Sequence, residues 1–420
     1  MHRDYGYRPG RLRPAAMSVG TVIGAMPRRL NQLGASALAA TIVALAAGCG
    51  GDDGSDGPTT PVPGATTPAA EEAGATLGFP FLATKNTTRV AGADPPTLAA
   101  GSALAVFPST GETTRPPAVT LVRGDDWRAA IPASVLMARP IRAPVLMTAG
   151  GELPDVTRDA LERLAPRGSG VLGGTQVIRV GDVPAPEGLR STTVSGADPF
   201  ALAAAIDRLA TSARGEPADT VVVVGSEAPA FAMPAAAWAA KSGDPVLLTE
   251  PDRLPEATAK ALRRHDRPRI VVLGPPSAVS ARVIAQLGEL GAVERLDAPT
   301  PQEAAVAFAR HTDGAFGWGL VDPGHGVQFA NPSSPAAAAA AAPLASSGTY
   351  GPLLLMGADG ALPDAVVQFL LDIQPGYEDD PVRGVYNHGW LIGDERAIDL
   401  DAQSRIDALL EISPVTGPSS

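Results

Sequence analysis

An internal repeat with a period near 101 residues limits how this chain can fold more than any other feature. APVLMT at 143–148 returns as DPVLLT at 244–249, and each is followed by a Leu-Pro helical pattern, LPDVTRDALERL from Leu153 and LPEATAKALRRH from Leu254. GVLGG at 170–174 stands in the same register with VVLGP at 271–275, and VTLVRG at 119–124 matches VVVVGS at 221–226. A weaker third copy runs through GPLLLM at 351–356, LPDAVVQFLLDI from Leu362 and, after the insertion QPGYEDDPVRGVYNH, GWLIGD at 389–394. Solenoid repeats are far shorter, so each copy should be a small module with its own sheet.

Each copy reads strand, Ala-rich helix, strand, Leu-Pro helix, strand. Continuous apolar runs such as VVVVG and PVLLT suit central strands covered on both faces. The Pro of each Leu-Pro pair is expected in the first helical turn, where its missing N–H costs nothing. Asp155 and Glu256 open those helices and Arg263 and Arg264 close one, as the helix dipole favours. Alternating strands and helices require parallel pairing with right-handed crossovers. The fold class is α/β: three tandem modules, each with a small parallel sheet.

Aromatic residues make up only 4% of the chain, so packing must rest on Ala, Val and Leu. The net charge is −11; residues 1–48 hold six Arg and one Asp, so a chain beginning at Cys49 carries −11 − 5 = −16. That balance argues against nucleic acid as a partner and supplies no overall attraction to an anionic polymer. One Cys excludes an intrachain disulfide.

The amino terminus reads as an address. Arg28 and Arg29 precede the small, apolar stretch Leu33 to Ala47, which ends in Leu45-Ala46-Ala47-Gly48-Cys49. This resembles the lipobox of bacterial lipoproteins, and the resemblance implies cleavage before Cys49 and its acylation with palmitate-like chains. The apolar run, about 15 residues, is short for a bilayer of about 30 Å. Residues 1–48 are read as a signal peptide, with Met17 and Met26 as alternative starts, and 49–76 as lipidated Cys and flexible, Pro/Thr-rich tether. Repeat one is placed at 77–189, repeat two at 190–292, the divergent repeat three at 293–413, and a tail at 414–420.

The repeats open on Arg89-Val90-Ala91-Gly92-Ala93-Asp94 with Thr97 and Ala99-Ala100, on Val194-Ser195-Gly196-Ala197-Asp198, and on a remnant, Leu296-Asp297-Ala298-Pro299. These openings, with the PVLLT strand, the Leu-Pro helix, the VLG block and Ala342-Pro343-Leu344-Ala345, resemble the cell wall-binding repeat 2 family of Gram-positive surface proteins. The resemblance covers roughly residues 85–413. It implies a pseudo-threefold packing of the modules and non-covalent attachment to anionic wall polymer. The sequence departs from the family where Pro95-Pro96 and Pro199-Phe200 replace an Arg-Tyr pair. It departs again where Trp127-Arg128-Ala129-Ala130-Ile131, Ala228-Pro229-Ala230-Phe231-Ala232 and the run Ala336 to Ala342 replace a segment containing Asp.

Candidate chemistry is sparse. Val171-Leu172-Gly173-Gly174 and Val272-Leu273-Gly274 lack the spacing of a nucleotide-binding turn. Asp125, Asp126 and Trp127 follow a strand end, where α/β ligands bind, and a helix-capping loop accounts for them as well. His325 stands in a Gly-rich loop after a strand, and Tyr386-Asn387-His388-Gly389-Trp390 collects side chains suited to sugar or to packing. Lys260, Arg263, Arg264, His265, Arg267 and Arg269 form the densest basic patch and the best local place for a polyanion. The four His after residue 48 are not paired at metal-ligand spacing, and no cofactor motif or catalytic elbow occurs. The leading expectation is a non-catalytic, lipid-anchored protein on the outer face of the membrane or in the wall. Its repeats would bind or organise anionic wall polymer, such as a teichoic-acid-like glycan. The alternatives are a solute-binding lipoprotein serving a transporter, which needs two lobes, and a surface scaffold without a ligand.

Overall fold

A computed structural model describes residues 81–347, 351–377 and 384–414. Cys49, the signal segment and the tether lie outside the described residues. The chain opens with β1 (Phe81–Ala83), β2 (Thr87–Val90) and α1 (Pro95–Val106). Then come β3 (Val119–Arg123), α2 (Trp127–Ala133), β4 (Val145–Thr148), α3 (Asp155–Leu164), β5 (Val177–Val180) and β6 (Ser191–Val194). The second copy supplies α4 (Pro199–Arg214), β7 (Thr220–Gly225), α5 (Pro229–Ser242), β8 (Val246–Thr249), α6 (Glu256–Arg264), β9 (Arg269–Leu273), α7 (Ala281–Gly288) and β10 (Ala292–Leu296). The third supplies α8 (Pro301–Arg310), β11 (Gly326–Ala330), α9 (Ala336–Ala341), β12 (Leu353–Leu355), α10 (Asp364–Asp372), β13 (Gly376–Tyr377), β14 (His388–Ile392), α11 (Leu400–Leu410) and β15 (Ser413–Pro414).

Three sheets share one strand order: β4-β3-β5-β6, β8-β7-β9-β10 and β12-β11-β14-β2, all parallel, with β1 added antiparallel to β2. The α/β class with parallel sheets is thus the observed one. Sequence repeats and sheets are nevertheless out of step by one strand. β6 and β10, which open repeats two and three, complete the sheets of repeats one and two. β2, which opens repeat one, completes the third sheet about three hundred residues downstream, pairing Gly389 with Thr87 and Ile392 with Val90. The helix after each opening strand then covers the next sheet: α1 packs on β4, α4 on β8 and α8 on β12. The opening motif is therefore a bridge between sheets, and the three bridges close a ring.

Small residues make this closure possible. α2, α5 and α9 each follow the first strand of a sheet and pack against one another pairwise. All six alanines of α9 are buried, and α5 buries Ala232 through Ala240 around Met233, Pro234 and Trp238. Three helices can approach this closely only where side chains are short, which explains the alanine run. The motif glycines serve a related end: a Cβ at Gly196 would stand 2.2 Å from the Leu202 nitrogen, and one at Gly92 would stand 2.9 Å from Thr97.

Two local expectations need correcting. The Pro of each Leu-Pro pair is the N-cap, not a first-turn residue: Pro154, Pro255 and Pro363 are extended, with ψ of 158°, 143° and 148°. A hydroxyl in the first turn then ties helix to strand, Thr157 donating to the Met147 carbonyl at 2.7 Å and Thr258 to that of Leu248 at 2.6 Å. The GVLGG block is not a strand either. Residues 170–172 form a single 3₁₀ turn with Val171 exposed, and the strand in that place is β5, VIRV. Gly173 and Gly174, both at positive φ, turn the chain before that strand, so the apparent 101-residue register of this block is coincidental.

β2 is held by more than its ladder. The Arg89 guanidinium, 1% exposed, donates from Nε and Nη2 to Gln403 Oε1 at 2.9 and 2.8 Å, and from Nη1 to the Gly393 and Asp394 carbonyls at 3.1 and 2.8 Å. The Asn86 amide adds a bond to the Asp407 carboxylate at 2.7 Å. Replacing Arg89 by Met would strip donors from three buried acceptors. Arg89→Met is expected to cost about 2–4 kcal/mol in urea unfolding at unchanged slope. Arg89→Lys, which keeps one charged donor, should lose less.

Candidate functional site

Parallel α/β sheets receive ligands beyond the carboxyl ends of their strands. Here those ends meet the amino ends of the bridging helices, and the opening-motif Asp works as a helix cap. Asp94 accepts from the Thr97 amide at 2.9 Å and its hydroxyl at 2.8 Å, and Asp198 from the Ala201 amide at 2.7 Å. Thr300 takes the same place in the third repeat. It forms a capping box, accepting from the Glu303 amide at 3.2 Å while Glu303 Oε2 accepts from the Thr300 amide at 3.1 Å.

The first and third bridges differ in what they leave open. At the first, a Cβ on Gly124 would meet Pro95 and Pro96 at 3.4 Å and the Thr148 carbonyl at 3.0 Å, so the proline pair lies against the strand ends. At the third, Pro301-Gln302-Glu303 leaves a cavity of about 400 Å³ lined by Thr300, Gln302, Glu303, Gly357, Asp359, Ala361, Leu362, Pro363 and Ala365. Gln302 is held by a 2.9 Å bond from Nε2 to the Met356 carbonyl. On the facing loop Gly357 donates to the Ala361 carbonyl at 2.9 Å, and Asp359 Oδ1 accepts from the Ala361 amide at 3.2 Å. Both carboxylates serve as acceptors, and the wall between them is made of Leu362, Pro363 and alanine. The concavity is open to solvent, and sequence reasoning missed it, because only folding joins loop 357–363 to the start of α8.

The residues singled out in the sequence lie elsewhere. Asp125 pairs with Arg123 at 2.6 Å, which holds the Asp125 carboxyl below the usual range, mainly by that hydrogen bond. Asp126 caps α2, accepting from the Ala129 amide at 3.2 Å, and Trp127 lies 5.0 Å from the Arg128 guanidinium. Arg128 in turn donates to the Ser226 carbonyl at 2.7 Å, tying the first sheet's loop to the second's. His325 is 3.3 Å from the Asp322 carboxylate, and its amide, with that of Gly324, donates to Asn387.

Most of the basic patch is already engaged. Lys260 and Arg263 lie 3.7 and 3.5 Å from Glu256. Arg264 reaches the buried Asp207 at 3.2 Å, and His265 Nε2 contacts the same carboxylate at 3.0 Å while its Nδ1 accepts from the Ala218 amide. Arg269 pairs with Glu294 and, at 2.8 Å, with Asp313. Arg267 stands exposed at positive φ. Among the described residues no group of three or more His, Cys, Asp or Glu could hold a metal, and no helix is long and apolar enough to cross a membrane.

One further arginine repeats the work of Arg89, and another grips the exit loop of its own strand. Arg295 on β10 donates to the Gly274 and Val279 carbonyls at 2.7 and 2.6 Å, and Arg179 on β5 to that of Val183 at 3.0 Å. Each clamps the loop leaving the strand beside the bridge. Arg295 stands five residues before the cap Thr300, as Arg89 does before Asp94. That spacing in the third repeat is the signal that could have found it.

A repeated strand–cap–helix bridge joins parallel sheets around an alanine-rich centre, and one copy of it matches a known family. Residues 193–284 match the family Cell wall binding domain 2 (CWB2). The amidase enhancer of Bacillus subtilis (strain 168) is 28% identical over 204 residues, 47% of this chain and 26% of that protein. Cwp8 from Clostridium difficile superposes with a TM-score of 0.59 at 19% identity, over 78% of this chain and 52% of its own. Cwp6 from the same organism gives 0.60 at 16%, over 78% and 48%. The chain thus spans about a quarter of the curated relative and about half of each solved chain.

His388 gives the fold a pH dependence. It is half-buried at the start of β14, 5.2 Å from Trp390, and burial lowers its pKa from the ordinary 6.5 more than the Asp407 carboxylate raises it. The folded chain therefore takes up this proton less readily than the unfolded one. The contribution is complete above about pH 6.5 and is lost as pH falls toward the lower folded value. Urea midpoints should drop between about pH 7 and pH 5, and His388→Gln should flatten that drop.

Proposed function

We propose that this chain is a non-catalytic, lipid-anchored envelope protein that attaches to cell wall polymer through its repeats, with Cys49 carrying the lipid. The observation that carries the reading is the ring of bridges: the matched stretch 193–284 holds β7, β8 and β9 of the second sheet, and the same strand order recurs in the other two sheets. A closed ring of three similar modules suits a rigid attachment body. It is a poor frame for the two-lobed solute binder, which needs a hinge and one central cleft. Attachment rests on local contacts, because a chain of net charge −16 from Cys49 onward repels a polyanion overall. Of the basic patch, Arg267, Lys260 and Arg263 have the exposure to contribute, the last two beside Glu256, while Arg264 and Arg269 first serve Asp207, Glu294 and Asp313. Asp125, Asp126, Trp127 and His325 would then act as loop-forming residues beside any ligand.

The test has two arms. The soluble chain lacking residues 1–49 is incubated with purified walls, with and without their secondary polymers, across a salt series. Binding that disappears with the polymers is expected, and no binding at low salt would leave the scaffold reading in its place. In cells, labelled fatty acid should be incorporated into the intact chain and lost in Cys49→Ala. Equal labelling of both would remove the lipid anchor.

A further inference from the structure

We infer that the cavity between α8 and the loop before α10 recognises a protonated amine carried by the wall polymer. The inference rests on the wall-polymer reading and names the group of the polymer that is contacted. The cavity, about 400 Å³, falls in the range of small-molecule sites and accommodates roughly one sugar ring with its neighbours protruding. Its chemistry is two-sided. Leu362, Pro363, Ala361 and Ala365 offer an apolar surface to the C–H face of a ring, while Glu303 and Asp359 hold acceptors on either side.

The charge at this site excludes one class of ligand. A helix amino end ordinarily attracts phosphate. Here Glu303 already caps α8, its Oε2 accepting from the Thr300 amide and, at 2.8 Å, the Thr300 hydroxyl. Asp364 stands in the first turn of α10. No cation lines the cavity. A phosphate or carboxylate entering it would meet two carboxylates without a counter-charge. An ammonium would gain charge-assisted hydrogen bonds from both, and sugar hydroxyls would find acceptors. Recognition through an amine also removes the difficulty that an acidic protein must hold an anionic polymer: contact falls on the polymer's cationic substituent.

The first bridge provides contrast within the same chain. There Pro95 and Pro96 lie against the strand ends, whereas Gln302 and Glu303, two and three residues after the cap of the third bridge, line the cavity. Selectivity at the third bridge should therefore be removable without touching the other two.

Two sources of the amine are distinguishable: a hexosamine with a free amino group, and an aminoacyl ester on a polyol phosphate. The soluble chain lacking residues 1–49 is titrated calorimetrically with glucosamine tetramer and, as control, its fully N-acetylated counterpart. In parallel it is incubated with walls before and after mild base, which removes aminoacyl esters. Binding of the glucosamine tetramer but not the acetylated one is expected if hexosamine is the source, and loss of wall binding after mild base if the ester is. Glu303→Gln and Asp359→Asn keep the capping and loop hydrogen bonds while removing charge. Each should weaken the responsive interaction about fivefold, with unfolding midpoints unchanged. Wall binding that is indifferent to both variants, to mild base and to the tetramers would overturn the inference while leaving the wall-polymer reading intact. Absence of wall binding together with no tetramer binding would overturn both.

Discussion

Every parallel strand needs a partner brought from elsewhere in the chain, and in this protein the fourth strand of each sheet comes from the repeat that follows. For the third sheet no repeat follows, so the strand comes from the beginning. β2 fills that place, and the buried Arg89 guanidinium makes the join specific by binding Gln403 and two loop carbonyls. Burying a guanidinium is costly, and burial lowers the Arg89 pKa accordingly. Four hydrogen bonds, with Asp394, Glu395 and Asp399 nearby, offset that cost. A short strand of four residues would be weakly registered on its own. With Arg89 reaching the Gly393 turn, a slipped register leaves a charge buried and unpaired. The same logic explains why Arg295 on β10 grips the corresponding loop of the second sheet.

Closure also determines how the centre must be made. A ring of three sheets brings α2, α5 and α9 together, and the many short side chains there, above all the alanines of α9, let the helices approach. The low aromatic content follows from this constraint, and the exceptions collect where a loop inserts. Trp238, Phe308, Phe316 and Trp318 form a cluster between α5, α8 and the segment following α8, with rings 4.9 to 5.9 Å apart.

The sequence allowed the α/β class and the repeated strands to be read because continuous apolar runs and Leu-Pro helices are local signals. The one-strand offset was not legible, because TTRV, STTV and AVERL are short, half-polar and indistinguishable from loops until their partners are known. The GVLGG block shows the opposite error: an apolar, glycine-ended string matched a true strand by spacing alone, while VIRV a few residues on was the strand. Candidate-site residues fared worse for a physical reason. Asp125, Asp126 and the basic patch are conspicuous as charges, but folding commits most of them to caps and ion pairs, and conspicuous charge in a sequence says nothing of its partners. Glu303 and Asp359, far apart in the sequence, come to line one concavity only through α8 crossing to the third sheet.

That crossing gives the architecture its functional latitude. Because a bridge begins in one sheet and covers the next, the residues just after its cap lie at a junction, and the junction can be filled or left open without disturbing either sheet's hydrogen bonds. Prolines lie against the first junction; Gln302 and Glu303 leave the third open. The cap residue itself cannot vary so freely, since Asp94, Asp198 and Thr300 each satisfy an amide at a helix amino end. Variation in what such a protein holds should therefore concentrate one to three residues after the cap and in the loop following the PVLLT-type strand. The capping position and the clamping arginine would stay under the constraint of closure. In this fold the ring is maintained by one set of residues and the surface chemistry by another, although the two stand within a single turn of helix.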